Sequence, residues 1–137
     1  MSRFENWEQP WLDEYGFAND SYFTQKPYGW RCQNKDGLKL GKYTDIGFGT
    51  YLNAKFGIEI GDGTQIGSNV SIYSINTEND TNGPVKIGKD CLIGSFSLIL
   101  PNSIIPDGSK IKAYSIVTVD NWGKTIVLEV ERKKKFL

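Results

Sequence analysis

The chain has 137 residues, with sixteen Lys plus Arg against sixteen Asp plus Glu and no histidine. A formal charge of zero argues against bulk nucleic-acid binding. The absence of imidazole removes histidine-ligated zinc, Ser-His or Cys-His nucleophile pairs and a histidine general base, and the length is that of one domain.

Met1 to Leu12 is polar and aromatic rather than a charged start followed by an apolar run, so no signal peptide is expected. No stretch has membrane-spanning length. Cys32 and Cys91 lie far apart, without metal or redox spacing. The expectation is a cytoplasmic protein with reduced thiols, no metal and no membrane or nucleic-acid partner. Residues 1–37 form an irregular leader dense in rings: Phe4, Trp7, Trp11, Tyr15, Phe17, Tyr22, Phe23, Tyr28 and Trp30. Its expected job is to cover the open end of the domain that follows, which would otherwise present bare strand edges. A ring stacked on a sugar or base in an acceptor pocket is the other reading.

Residues 38–119 carry a period of six. Leu40, Ile46, Leu52, Ile60, Ile66, Ile72, Ile87, Ile93, Ile99, Ile105, Ile111 and Val117 recur at this spacing, most of them followed by Gly or a small polar residue. Two positions earlier stands a second inward candidate, often small: Thr44, Thr50, Thr64, Cys91, Ser97, Ser103, Ser109 and Ser115 among them. Six fits neither a helix nor a long half-buried strand. It is the spacing of a hexapeptide β-helix, in which each unit is a short strand plus a corner. The fold class is therefore all-β, a parallel β-helix of about four coils. The period breaks twice, after Leu52 by two extra residues and after Ile72 by nine. These breaks are three hexads apart, so both insertions leave one corner of a three-sided prism. Ser74 to Pro84 is then a polar loop ending in the turn signal Asn82-Gly83-Pro84. Residues 120–137 form a C-terminal tail, with a short strand from Thr125 to Val130 and a basic cluster of Arg132, Lys133, Lys134 and Lys135. Twelve core aliphatics are few for some eighty ordered residues, and side-by-side packing of prisms would add to the burial.

The closing coils, Ile87-Gly88-Lys89-Asp90-Cys91-Leu92-Ile93-Gly94, Ile99-Leu100-Pro101 and Ile111 through Asp120, resemble the hexapeptide-repeat acyltransferases, especially the sugar acetyltransferases that use acyl-coenzyme A. The resemblance spans residues 38–137. It implies a left-handed prism, a homotrimer with active sites in clefts between neighbouring copies, acetyl-CoA as co-substrate and a sugar or nucleotide-sugar acceptor. In that family an extended loop carries a catalytic histidine. Here Ile72-Tyr73-Ser74-Ile75-Asn76-Thr77 resembles the lead-in, and Thr77 stands in the histidine's place. The family's Gly-Ala-Gly-Ser becomes Lys112-Ala113-Tyr114-Ser115, which brings a ring to the expected pantetheine track.

Acylating a sugar hydroxyl needs a base, whereas a neutral amine already has a nucleophilic lone pair. A histidine-free member is thus expected to be an acyl-CoA-dependent N-acetyltransferase of an amino sugar, acting by positioning and oxyanion stabilisation. The catalytic candidates are Asn76 for the amine or oxyanion, Thr77 in the histidine slot, and Glu78 or Asp80 to take a proton or pair with an ammonium. The resemblance assigns coenzyme contacts to Ser95, Ala113, Tyr114 and Ser115, while Lys133 and Lys134 would neutralise its phosphates. Two other readings stay open: a sugar O-acetyltransferase with a carboxylate base, and a non-catalytic pseudoenzyme or scaffold on the same prism.

Overall fold

In the computed structural model, residues 7–20, 27–131 and 133–136 are described. Phe4, Tyr22 and Phe23 of the leader and Arg132 of the basic cluster lie outside the described residues. The twelve hexad aliphatics form three parallel rows of four. On the first face, Leu38–Leu40, Ile58–Ile60, Val85–Ile87 and Ile104–Ile105 pair in register and place Leu40, Ile60, Ile87 and Ile105 in line. On the second, Asp45–Ile46, Gln65–Ile66, Leu92–Ile93 and Lys110–Ile111 align Ile46, Ile66, Ile93 and Ile111. On the third, Tyr51–Asn53, Ser71–Tyr73, Leu98–Ile99 and Ile116–Val119 align Leu52, Ile72, Ile99 and Val117. This is a parallel β-helix of four coils. All but Leu40, at the N-terminal rim, are buried.

The third face runs one rung further toward the N-terminus. Pro27–Gln33 pairs parallel to Tyr51–Asn53 and sets Cys32, wholly buried, at the head of the Leu52 row. Phe17–Asn19 and Trp11–Leu12 continue that sheet antiparallel. Cys32 stands eight residues before Leu40, the same step as from Leu52 to Ile60, but no hexad precedes it to extend the period.

The second inward residues do more than fit a small space. Thr64 Oγ1 donates to the Gly88 carbonyl at 2.7 Å and accepts the Cys91 amide at 3.1 Å. Thr50 does the same one corner on, with the Gly67 carbonyl and the Val70 amide. Ser97 joins the Lys112 carbonyl and the Ser115 amide. These backbone groups sit at corners, where the strand ladders end, and a buried unpaired group would cost roughly 1–3 kcal/mol. The hydroxyls therefore clamp each coil to the next. The glycines after the aliphatics allow the same closeness. A Cβ on Gly61 would lie 2.6 Å from the Gly88 carbonyl.

The coils are bonded in both directions. Gly41, Gly61 and Gly88 each donate to a carbonyl one coil later, those of Ile60, Ile87 and Ile105, while Gly63, Asp90 and Tyr114 donate back to the carbonyls of Lys42, Asp62 and Ser95. Each rim lacks one neighbouring coil, and other segments supply partners there. Trp7 Nε1 donates to the Thr44 carbonyl at 2.7 Å and Gln9 Nε2 to the Leu40 carbonyl at 3.2 Å. At the other end Thr125 Oγ1 accepts the Ile104 amide at 2.9 Å, and Thr125–Leu128 pairs antiparallel to Ile116–Val119. Among the described residues no helix is long and apolar enough to cross a membrane.

Candidate active site

Both insertions leave the corner between the third and first faces. The longer one is a two-stranded arm, Ile75–Asn76 against Thr81–Asn82. Its root is fixed on both sides. Buried Ser74 donates its hydroxyl to the Asn53 carbonyl at 2.6 Å and accepts the Phe56 amide at 2.9 Å, tying the arm to the shorter insertion. Asn102, held in the left-handed region at φ 69°, donates Nδ2 to the Asn82 carbonyl at 3.1 Å. At Gly83, φ 150°, a Cβ would stand 1.8 Å from Asn102 Oδ1, so only glycine lets the arm close against this side chain.

The tip is held by local bonds alone. Asn76 Oδ1 accepts the Glu78 amide at 3.1 Å, and Asn79 Oδ1 accepts the Thr81 amide and hydroxyl at 3.2 and 2.6 Å. Thr77, Glu78 and Asp80 are exposed there. Asp80 has φ 54°, a conformation aspartate tolerates.

A cavity of about 270 Å³ lies between the arm and the last coil, lined by Asn76, Asn79, Thr81, Asn102, Thr118 and Asp120 together with Leu100, Pro101 and Val119. A second, of about 400 Å³, runs along the first face past Gly57, Pro84, Lys86, Asn102 and Ile104. Asn102 is in both walls. Of the four predicted catalytic residues, Asn76 lines the first cavity, whereas Thr77, Glu78 and Asp80 are not in its wall. The carboxylate that does line it is Asp120, which is half-buried. Its Oδ1 accepts the Trp122 and Lys124 amides, both at 2.9 Å. Sequence reasoning missed Asn102 and Asp120. Asn102 occupies a left-handed corner slot within a four-residue corner, and that was the one available signal. Asp120 is brought in by the tail, with no pattern to mark it.

The residues expected to meet coenzyme gather at a different corner, between the second and third faces. Ser95 Oγ accepts the Ser68 amide at 3.0 Å, and the Ser95 carbonyl accepts the Tyr114 amide at 3.0 Å. Ser115 is buried, and its amide is occupied by Ser97 Oγ at 3.2 Å. Tyr114, at φ 62°, stacks its exposed ring on that of Phe96, also at φ 62°, with centroids 5.2 Å apart and planes 5° from parallel. Lys133 and Lys134 are exposed on the tail, and Lys134 Nζ stands 4.9 Å from the Phe136 ring centre. One chain thus brings the arm residues together and the Ser95–Tyr114 set together, but on separate corners.

Neither cysteine is placed as a nucleophile. Both are buried and free. Burial pushes the Cys32 thiol up to about 11, against smaller lowering by the Ala54 backbone and Arg31. Cys91 Sγ donates to the Pro106 carbonyl at 3.1 Å, filling a clamp position of the Ser/Thr kind. Among the described residues no group of three His, Cys, Asp or Glu side chains is arranged to hold a metal ion.

Residues 40–74 and 84–118 match the family model described as the hexapeptide repeat of succinyl-transferase, and the gap between the two blocks coincides with the arm. The chain is 31% identical over 123 residues to dTDP-4-amino-4,6-dideoxy-D-glucose acyltransferase of Escherichia coli, a match covering 74% of this chain and 64% of that protein. It is also similar to a solved N-acyltransferase from Bacillus cereus, in complex with dTDP-4-amino-4,6-dideoxyglucose and coenzyme A, at 16% identity and a TM-score of 0.47 over 78% of this chain and 80% of that one. That score is too low to add to what the three registered rows of this chain already establish. With its four coils and both matched blocks, the chain belongs to the hexapeptide-repeat family.

Proposed function

We propose that this chain is an acyl-CoA-dependent acyltransferase acting on the amino group of a nucleotide-linked sugar, with acetyl-CoA as donor, and that it works without a histidine base. The observation that carries the reading is the 31% identity to a dTDP-amino-sugar acyltransferase in a chain of 137 residues that has no histidine.

The acceptor amine, in its neutral form, attacks the thioester carbonyl. A C–N bond forms, the C–S bond breaks, and the thiolate leaves with the electron pair. The proton lost by the amine goes to the thiolate, directly or through water or the Asp120 carboxylate. Two neutral donors suit the developing oxyanion, the Asn76 and Asn102 side-chain amides in the cavity wall. Glu78 and Asp80, on the exposed tip, suit an ammonium arriving from solvent, and Thr77 offers a hydroxyl where the family carries histidine. Ser95, Ala113, Tyr114 and Ser115 hold the coenzyme in this reading, with Lys133 and Lys134 toward its phosphates. Because the two sets stand on different corners, they meet only where the arm of one copy abuts the Tyr114 corner of the next. A homotrimer with three such seams satisfies this. The buried reduced thiols suit a cytoplasmic setting.

The test is thiol release from acetyl-CoA with dTDP-4-amino-4,6-dideoxyglucose. Release should require both substrates. Its rate should rise with pH along the acceptor amine's own ionisation, with no further limb from an enzyme base. If no nucleotide-linked amino sugar in a panel releases thiol, and coenzyme A leaves the thermal midpoint unmoved, the prism is a scaffold.

A further inference from the structure

We infer that the cavity at the N-terminal rim, walled by Trp7, Tyr28 and Trp30 with Asp45 among them, binds an organic ammonium cation. It measures about 140 Å³, room for a small alkylammonium head and too little for a nucleotide. The inference goes beyond the acyl-transfer reading, because this cavity shares no lining residue with the two beside the arm.

Three observations carry it. First, the walls are rings held in place. Trp7 spends its only donor on the Thr44 carbonyl at 2.7 Å, which leaves it ring surface rather than N–H to offer a ligand. Trp30 is 2% exposed, fixed in the strand Pro27–Gln33. A cation is drawn to an aromatic face through the ring quadrupole, most strongly where water is excluded. Second, the charge that the described lining residues bring is of one sign. Asp45 lines it, and among the described residues that line it none is Lys or Arg. Third, the negative field reaches the wall. The Tyr28 hydroxyl is pushed up first by burial and then by Asp20, Glu8 and Asp45. An anion would meet carboxylates here. A neutral ligand of the same shape would lose the attraction to the rings.

The experiment compares choline with its uncharged isostere 3,3-dimethylbutanol, titrated into the full chain and followed by saturation-transfer NMR. Choline should bind saturably and about tenfold or more tighter than the isostere. Tyr28→Leu and Asp45→Asn should each weaken choline by about threefold or more while leaving the isostere's affinity unchanged. Tyr28 is 39% exposed, so Tyr28→Leu decides the matter if Asp45→Asn does not fold. Equal affinities for the two compounds, no saturation by choline, or choline binding indifferent to Tyr28→Leu would each overturn the assignment. Thiol release in the acyl-transfer assay is a separate readout, so failure of either proposal leaves the other standing.

Discussion

The prism wall and the arm meet at Ser74, and they are built by opposite rules. In the wall each inward residue is set by its counterpart one coil away, through aliphatic rows and hydroxyl clamps that cross from coil to coil. In the arm, beyond the fixed root, side chains bond only to neighbours two residues on, as Asn76 and Asn79 do. The wall is redundant and buried, and the arm is exposed and local. A substitution in the first should therefore cost stability, and one in the second should cost only chemistry.

The largest effect expected in the wall is at Ile72, which is 0% exposed in the middle of its row. Ile72→Ala should cost about 2–5 kcal/mol in urea unfolding, and a change under about 1 kcal/mol would mean that the row is not a packed core. Next comes Thr64→Val, nearly the same shape, which strands the Gly88 carbonyl and the Cys91 amide. We expect a loss of about 1–3 kcal/mol. The Ser109 hydroxyl bonds only within its own corner, to the Pro106 carbonyl. Ser109→Ala should therefore cost less than Thr64→Val, and equality would refute the clamp.

Cys32 supplies a pH test of the same wall. Its thiol has an ordinary value of 9.0 and sits at about 11 in the fold, raised by burial. The unfolded chain ionises first, so the stability is fully present below pH 9 and is lost as pH rises from 9 toward 11, by up to ~2 kcal/mol. Tyr28 and Tyr51 are also pushed up, chiefly by burial, and contribute in the alkaline range. The measurement is therefore the difference between the parent and Cys32→Val, whose unfolding midpoint should fall less over this range. Parallel curves would show that Cys32 is not buried as a thiol. The smallest stability effect belongs to the arm. Asn76→Ala should move unfolding by no more than about 0.5 kcal/mol while lowering thiol release about tenfold or more. Lost stability with intact release would make the arm a structural element.

The wall was legible because its order is one-dimensional. A six-residue period maps directly onto rows, so Ile60 beneath Ile87 and the shared corner of both insertions could be read from spacing. What could not be read has no period. Cys32 heads a row with no hexad before it, and cysteine is not one of the repeating aliphatics. Thr64 and Ser97 could be seen as small, but their double bonds to the next corner depend on two coils being stacked. Asn102 and Asp120 reach the arm cavity from 20 or more residues away in the chain, through space alone. Thr77, in the place the family gives to histidine, and the carboxylates Glu78 and Asp80 lie on the same loop as Asn76, and a two-stranded arm sends these tip residues out of the wall that Asn76 lines.

The central claim is that the arm of one copy and the Tyr114 corner of another make one site. It is tested most directly by mixing two variants, Asn76→Ala at the arm and Tyr114→Asp at the exposed corner, each about tenfold or more slower than the parent when alone. Reassembled at equal concentrations as cyclic trimers, one seam in about four pairs an intact arm with an intact corner by random assortment. The account predicts thiol release at about a quarter of the parent rate. A mixture no faster than the faster variant alone would contradict it.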